Sequence, residues 1–218
     1  MLAAVRMTLA LIAAAALSGC VSDDMATRAA SGGPDLTIAT QGVYRAPDMT
    51  ALPLAAMYQV VDVQVNVPRT LKVSEANTFL PSADIVWRGD PLGDRYAQIA
   101  AIIDTAAQPV IGRGTGRPVV AEIVVTRFHG VTEKTRYTVG GNHNMRFDLT
   151  LRDAATGAVL VGPRPVVADV RAAGGARAIE EDRIGRTQKV VVTERLAEVL
   201  QRELGLQPMA PAMQVAMR

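Results

Sequence analysis

Cys20 is the only cysteine in a chain of 218 residues, and its position limits what the chain can build. With no second thiol there is no disulfide framework, so any folded domain must rest on a hydrophobic core. Upstream of it, Arg6 supplies a positive start, and Met7 to Leu17 (MTLALIAAAAL) is uncharged and almost wholly apolar. Small residues, Ser18 and Gly19, come just before the cysteine. Basic, apolar, small is the layout of a secretory signal. The apolar run is too short for a transmembrane helix, which needs about 20 residues to cross ~30 Å of hydrocarbon.

Leu17-Ser18-Gly19-Cys20 resembles the lipobox of bacterial lipoproteins. The resemblance implies removal of residues 1–19 and a mature N-terminus at Cys20 that carries two acyl chains. One chain binds a membrane marginally and two hold it, so Cys20 is the expected membrane anchor. Its thiol is then spent, leaving none for metal ligation or nucleophilic chemistry. Val21 stands where enteric lipoproteins retained in the inner membrane carry aspartate, and by the same resemblance the outer membrane is favoured over the inner. Lys and Arg number 23 and Asp and Glu 21, and cleavage before Cys20 removes only Arg6 among them. A nearly neutral chain offers neither the clustered basic face of a nucleic-acid binder nor a polybasic membrane patch.

Residues 20–51 are mostly small and polar, include Ser31-Gly32-Gly33-Pro34, and keep no sustained period, which reads as a flexible tether. About 30 such residues span roughly 30 Å. A single folded domain is expected over residues 52–206, followed by a flexible tail, 207–218.

Within the domain, Tyr58 to Val67 alternates as a strand, with Val61, Val63, Val65 and Val67 expected on one face and Pro68 ending it. Short extended pieces follow at 71–73 and 83–87. Asp90-Pro91 is an expected helix start, with Leu92, Tyr96, Ile99, Ile103 and Ala106 along one stripe to Ala107. The glycine-rich connection 110–118 leads to a central strand, 119–128, then a loop or hairpin over 129–143. Met145 to Arg152 alternates with Met145, Phe147, Leu149 and Leu151 inward. Asp153 to Gly157 is a turn, and 158–170 returns antiparallel, with Pro163 and Pro165 placing its middle at an edge or bulge. After a flexible 172–178, one long helix is expected over 179–204, with Ile184, Val191, Leu196, Val199 and Leu200 buried and Gly205 as its cap. The fold class is α+β: a two-layer domain, a mixed and mostly antiparallel sheet with two helices packed on one face.

No catalytic signature emerges. There is no Gly-x-Ser-x-Gly elbow, and Gly112-Arg-Gly-Thr-Gly116 sits after a helix and before a strand, the wrong setting for a phosphate loop. His129 and His143 would approach each other across a hairpin, but strand alternation turns Glu122 and Asp148 away from them, so a zinc set is not completed. Trp87 to Arg95 places the only tryptophan among four charges at a strand-to-helix junction. Packing of Trp87 under the helix is expected, and an exposed contact surface is the competing reading. The tail carries Met209, Met213 and Met217 at a spacing of four, a pattern suited to an adaptable surface or copper(I), although a frayed tail is the expectation.

Residues 81–105 (PSADIVWRGDPLGDRYAQIAAIIDT), the Asp-Ala-Ala-Thr-Gly turn and the final helix resemble an uncharacterised family of alphaproteobacterial-type lipoproteins over roughly residues 55–205. More loosely, the layout is similar to auxiliary lipoproteins of envelope ABC-type transport systems. The anchor, the tether, the half-polar sheet and the missing catalytic set lead to the expectation of a non-enzymatic periplasmic lipoprotein without cofactor, anchored to a membrane through Cys20 and serving as an accessory or docking subunit of an envelope transport or assembly system. The rival expectation is a small periplasmic enzyme or metal-binding protein using His129, His143 or the methionine tail.

Overall fold

A computed structural model of the chain describes residues 54–206. Cys20, the tether and the methionines at 209, 213 and 217 lie outside the described residues. The elements in order are α1 (Leu54–Met57), β1 (Tyr58–Asn66), β2 (Ile85–Val86), α2 (Arg95–Ala107), β3 (Arg117–His129), α3 (Glu133–Arg136), β4 (Gly141–Asp153), β5 (Val159–Val167), β6 (Val170–Ala172), α4 (Gly175–Arg183) and α5 (Gln188–Glu203).

The sheet is built outward from β3 and β4, which pair antiparallel with Ile123 opposite Leu149 and Val125 opposite Phe147. Val119, Ala121, Ile123 and Val125 on β3, and Met145, Phe147, Leu149 and Leu151 on β4, are buried. That is the inward set expected of a strand pair covered on one face. β1 lies parallel to β3, and the chain reaches that parallel position through α2, since such a pair needs a crossover. β5 closes the other side in the order β1-β3-β4-β5. Pro163 and Pro165 therefore sit on an edge strand, where a missing N–H costs no ladder bond. Ile99, Ile102, Ile103 and Ala106 of α2 join Val192, Leu196, Val199 and Leu200 of α5 in one core cluster with the inward faces of the strands. The domain is α+β, with its two long helices on one face of a mostly antiparallel sheet.

Four local expectations are corrected. The helix does not begin at Asp90-Pro91 but at Arg95, capped by Asp94, whose carboxylate accepts the N–H groups of Tyr96 at 3.0 Å and Ala97 at 3.2 Å. Asp90 is committed elsewhere, to Trp87 and Lys189, and Leu92 is left 79% exposed outside the helix. The expected single C-terminal helix is two, separated at Ile184–Thr187. Gly185 there takes φ +79°, and the Thr187 hydroxyl accepts Val190 N–H to start α5 afresh. A threonine offers the backbone this local alternative to a continuous helix, and Ile184 ends exposed rather than buried. Residues 172–178, expected to be a flexible link, hold the end of β6 and the start of α4. In β1 the register slips between Val60 and Asp62. The slip inverts the alternation, so Val61 is exposed while Val60, Val63 and Val65 pack on the core.

The glycines at 112–116 are explained by contact with β1. Gly112 N–H donates to Val60 O at 2.7 Å, Val60 N–H to Arg113 O at 2.9 Å, and Thr115 N–H to Ala55 O at 3.0 Å. A Cβ on Gly116 would lie 1.9 Å from the carbonyl oxygen of Met57. Backbone cannot swing aside as a side chain does. Gly116→Ala should destabilise the domain by about 3 kcal/mol through this clash, read as a lowered urea midpoint with unchanged slope.

Candidate functional site: the far end of the sheet

β2, the last residues of β3, α3 and the first residues of β4 meet at one end of the sheet. Most of the side chains singled out in the sequence gather here. Trp87 follows β2 and is fully buried. Its ring meets Phe128 edge-on with centroids 5.5 Å apart, and its Nε1 donates to Asp90 at 2.7 Å. Gly89 is glycine because a Cβ there would stand 2.3 Å from the indole. Trp87 is thus buried in the core cluster to which α2 and α5 contribute, and the exposed-contact reading is overturned.

The charges around Trp87 are satisfied among themselves. Arg95, 4% exposed, gives Nε and Nη2 to the two oxygens of Glu75 at 2.7 and 3.0 Å. Its Nη1 donates to Asp90 O, Pro91 O and Gln98 Oε1 at 3.1, 3.1 and 2.7 Å. Each nitrogen of this buried guanidinium is thus engaged in at least one hydrogen bond. Arg88 donates through Nε to both oxygens of Glu133, at 2.9 and 2.8 Å, and through Nη1 to Glu75 at 2.8 Å. The Arg95 hydrogen bond, with Arg88 behind it, outweighs burial and holds the Glu75 carboxyl below its ordinary range. Burial alone would raise Asp90, but the hydrogen bonds from Lys189 at 2.7 Å and from Trp87 bring it below its usual value. This cluster ties residues 75–95 to α3 and α5.

The two histidines do not converge. His129 stands directly opposite Asn144, and His143 is the next residue along β4, so alternation sends the two imidazoles to opposite faces. His129 Nε2 lies 3.0 Å from Pro81 O; a carbonyl only accepts, so that nitrogen carries the proton. His143 is 1% exposed, its Nδ1 accepts Val131 N–H at 3.4 Å, and its Nε2 has no partner among the described residues. Burial, reinforced by the Arg136 charge, pushes His143 down to about 4. The link between them carries α3, capped by the Thr132 hydroxyl, and joins the antiparallel strands β3 and β4. No group of three His, Cys, Asp or Glu among the described residues is placed to hold a metal.

Two features escape the sequence. One is a pocket of about 500 Å³ beside the end of β3, lined by Lys72, Leu80, Ser82, Asp84 and Arg127 among others. The other is the pairing of Arg127 directly opposite Arg146 across β3 and β4. Leu80 also borders a second cleft, of about 270 Å³, whose walls include Phe79, Val131 and Val139. Each arginine interrupts an apolar strand and so stands out in the sequence, but their opposition depends on a register no single strand encodes.

A family model described as a family of unknown function, DUF6778, matches residues 58–218. The chain belongs to this family. The DUF6778 match begins at the first residue of β1 and takes in the whole sheet. No curated protein matches. Among solved structures, a Xanthomonas campestris protein of family DUF330 is similar at 11% identity and TM-score 0.37, over 68% of this chain and 86% of its own. A candidate lipoprotein from Caulobacter crescentus is similar at 15% identity and TM-score 0.30, over 70% of this chain and 90% of its own.

Proposed function

We propose that this protein is a lipid-anchored lipoprotein of the bacterial envelope, with its domain on the periplasmic side. It acts without catalysis, as an accessory or docking subunit of an envelope transport or assembly system. The observation that carries the reading is Leu17-Ser18-Gly19-Cys20 after a short apolar run. On this reading residues 1–19 are cleaved, Cys20 bears the acyl chains, 20–51 is the tether, 52–206 the domain and 207–218 a tail. Val21 after the cysteine favours the outer membrane. No described helix is long and apolar enough to cross a membrane.

The geometry of the domain supports docking at a distance from the anchor. Leu54 enters beside Gly205, where a Cβ would be 3.2 Å from Leu54 N, so both ends of the described chain lie together. That place is the start of β1, and Tyr58 pairs with Arg117 at the start of β3. β3 is 13 residues long, which sets its far end roughly 40 Å away at about 3.3 Å per residue. The tether thus joins one end of the sheet, and Phe79, Leu80 and Val139, exposed at 51%, 77% and 71%, stand at the other.

Cells expressing Cys20→Ser and fed a palmitate analogue should show no label on the protein and its release into the soluble periplasmic fraction. Label retained on the exported variant would overturn the anchor. In vivo crosslinking from the Leu80 end should trap one envelope protein.

A further inference from the structure

We propose that Lys72, Arg127 and Arg146 form a binding site for a phosphate-type oxyanion, placed at the end of the sheet away from the tether. The register sets Arg127 and Arg146 directly opposite each other, with their Cβ atoms about 5 Å apart, an arrangement of like charges that works against strand pairing. The other arginines of these strands are treated differently. Arg152 donates to Glu122 at 2.9 Å, Arg117 is paired with Asp153, and Arg164 of β5 with Glu203. Arg127 and Arg146 have no carboxylate within ion-pair distance among the described residues. Asp148 lies two residues along the same face without reaching either, and Asp84 spends its Oδ2 on the N–H of Lys72 at 2.9 Å.

Arg127 lines the pocket of about 500 Å³, whose rim also carries Lys72 and Ser82 beside Asp84, and Arg146 stands next to Arg127 on the neighbouring strand. The Lys72 ammonium and the Ser82 hydroxyl have no side-chain partner among the described residues. The Arg127 guanidinium, an ammonium and a hydroxyl on the cavity wall, with a second guanidinium opposite Arg127 on the adjacent strand, match the several acceptor oxygens of a phosphate. A bound dianion also removes the repulsion that the empty pair imposes on the sheet. A departure from local pairing rules without structural gain is what a binding site produces. Leu80 is shared between this pocket and the cleft that includes Phe79, Val131 and Val139. A phosphate that carries an apolar group, as in a phospholipid headgroup, therefore finds a wall for both parts.

The test compares the full chain with Arg127→Gln, Arg146→Gln and the double variant. For the wild type, inorganic phosphate should raise the thermal midpoint beyond chloride at equal ionic strength, as linkage requires. Each single variant should weaken phosphate binding about tenfold, roughly the loss of one charge-assisted contact. The double variant should lose the response while melting no lower than wild type without phosphate, because a repulsion has been removed. A second arm floats the Cys20→Ser chain with phosphatidylcholine vesicles with and without phosphatidylglycerol. Arginine-dependent flotation on the anionic vesicles without a response to inorganic phosphate identifies the headgroup as the source; a response to inorganic phosphate alone identifies the free anion. Absence of both, or variants that respond as the wild type does, overturns the proposal.

Discussion

Taking the domain from pH 7 to pH 4 should cost about 3 kcal/mol of stability through His143 alone. Its folded pKa of about 4 lies below the ordinary histidine value of 6.5 because the ring is buried, with Arg136 adding to the effect. The unfolded chain therefore binds a proton in this window that the folded chain refuses. The contribution is complete above pH 6.5 and is lost as pH falls toward 4, at about 1.4 kcal/mol for each pH unit crossed. Carboxylates held low, among them Glu75, Asp90 and Glu203, begin to lose theirs only as pH approaches their unfolded values. Asp104 works in the opposite sense, since burial and the Asp62 charge raise it. The interval from 6.5 to about 5 thus isolates the histidine. His143→Gln keeps an acceptor for Val131 N–H and has no titration, so its urea-derived stability should be flat across that interval. A wild-type profile equally flat there would show that His143 is not buried in the neutral form.

The second large effect is Trp87→Ala, expected to remove about 4 kcal/mol through lost transfer energy and the cavity left behind. The substitution takes away the edge-on contact with Phe128 and one of the two donors that hold Asp90 in its ionised form. Trp87→Phe keeps part of the ring volume and should cost roughly half as much. Since tryptophan fluorescence vanishes with the mutation, the measurement is urea unfolding followed by circular dichroism. A loss below about 1 kcal/mol for the alanine variant, within the range of surface changes, would return Trp87 to the surface.

What can be read from the sequence divides by whether a feature depends on one segment or on two. Met145, Phe147, Leu149 and Leu151 announce their strand because the two faces of β4 meet such different surroundings, and Pro163 and Pro165 announce an edge because of a missing donor. The bulge at Val61 is illegible, since a one-residue slip exists only relative to β3. The helix cap lies at Asp94 rather than at the expected Asp90 because Trp87 and Lys189 claim the Asp90 carboxylate, a competition no single segment displays. The break at Gly185 is masked by a hydrophobic stripe that fits either one helix or two. The histidines are close in the expected sense, on neighbouring strands, but the face each takes is decided by the Asn144 pairing. The Arg127–Arg146 opposition belongs to the same class: each residue is legible, the pair is not.

The parallel ladder between β1 and β3 has a mechanical consequence. On the proposed reading of residues 20–51 as a tether, a pull through them would reach β1 by way of Leu54–Met57, while a partner held at the opposite end would restrain the tip of β3. Load then runs lengthwise along the two strands, and the contacts from Tyr58–Arg117 to Asn66–Val124 carry it side by side rather than opening one after another. Such shear loading raises the barrier to forced unfolding, a quantity governed by the unfolding rate rather than by equilibrium stability. A domain leashed to one surface and gripped at its far end would resist tension along the direction in which its attachment applies it.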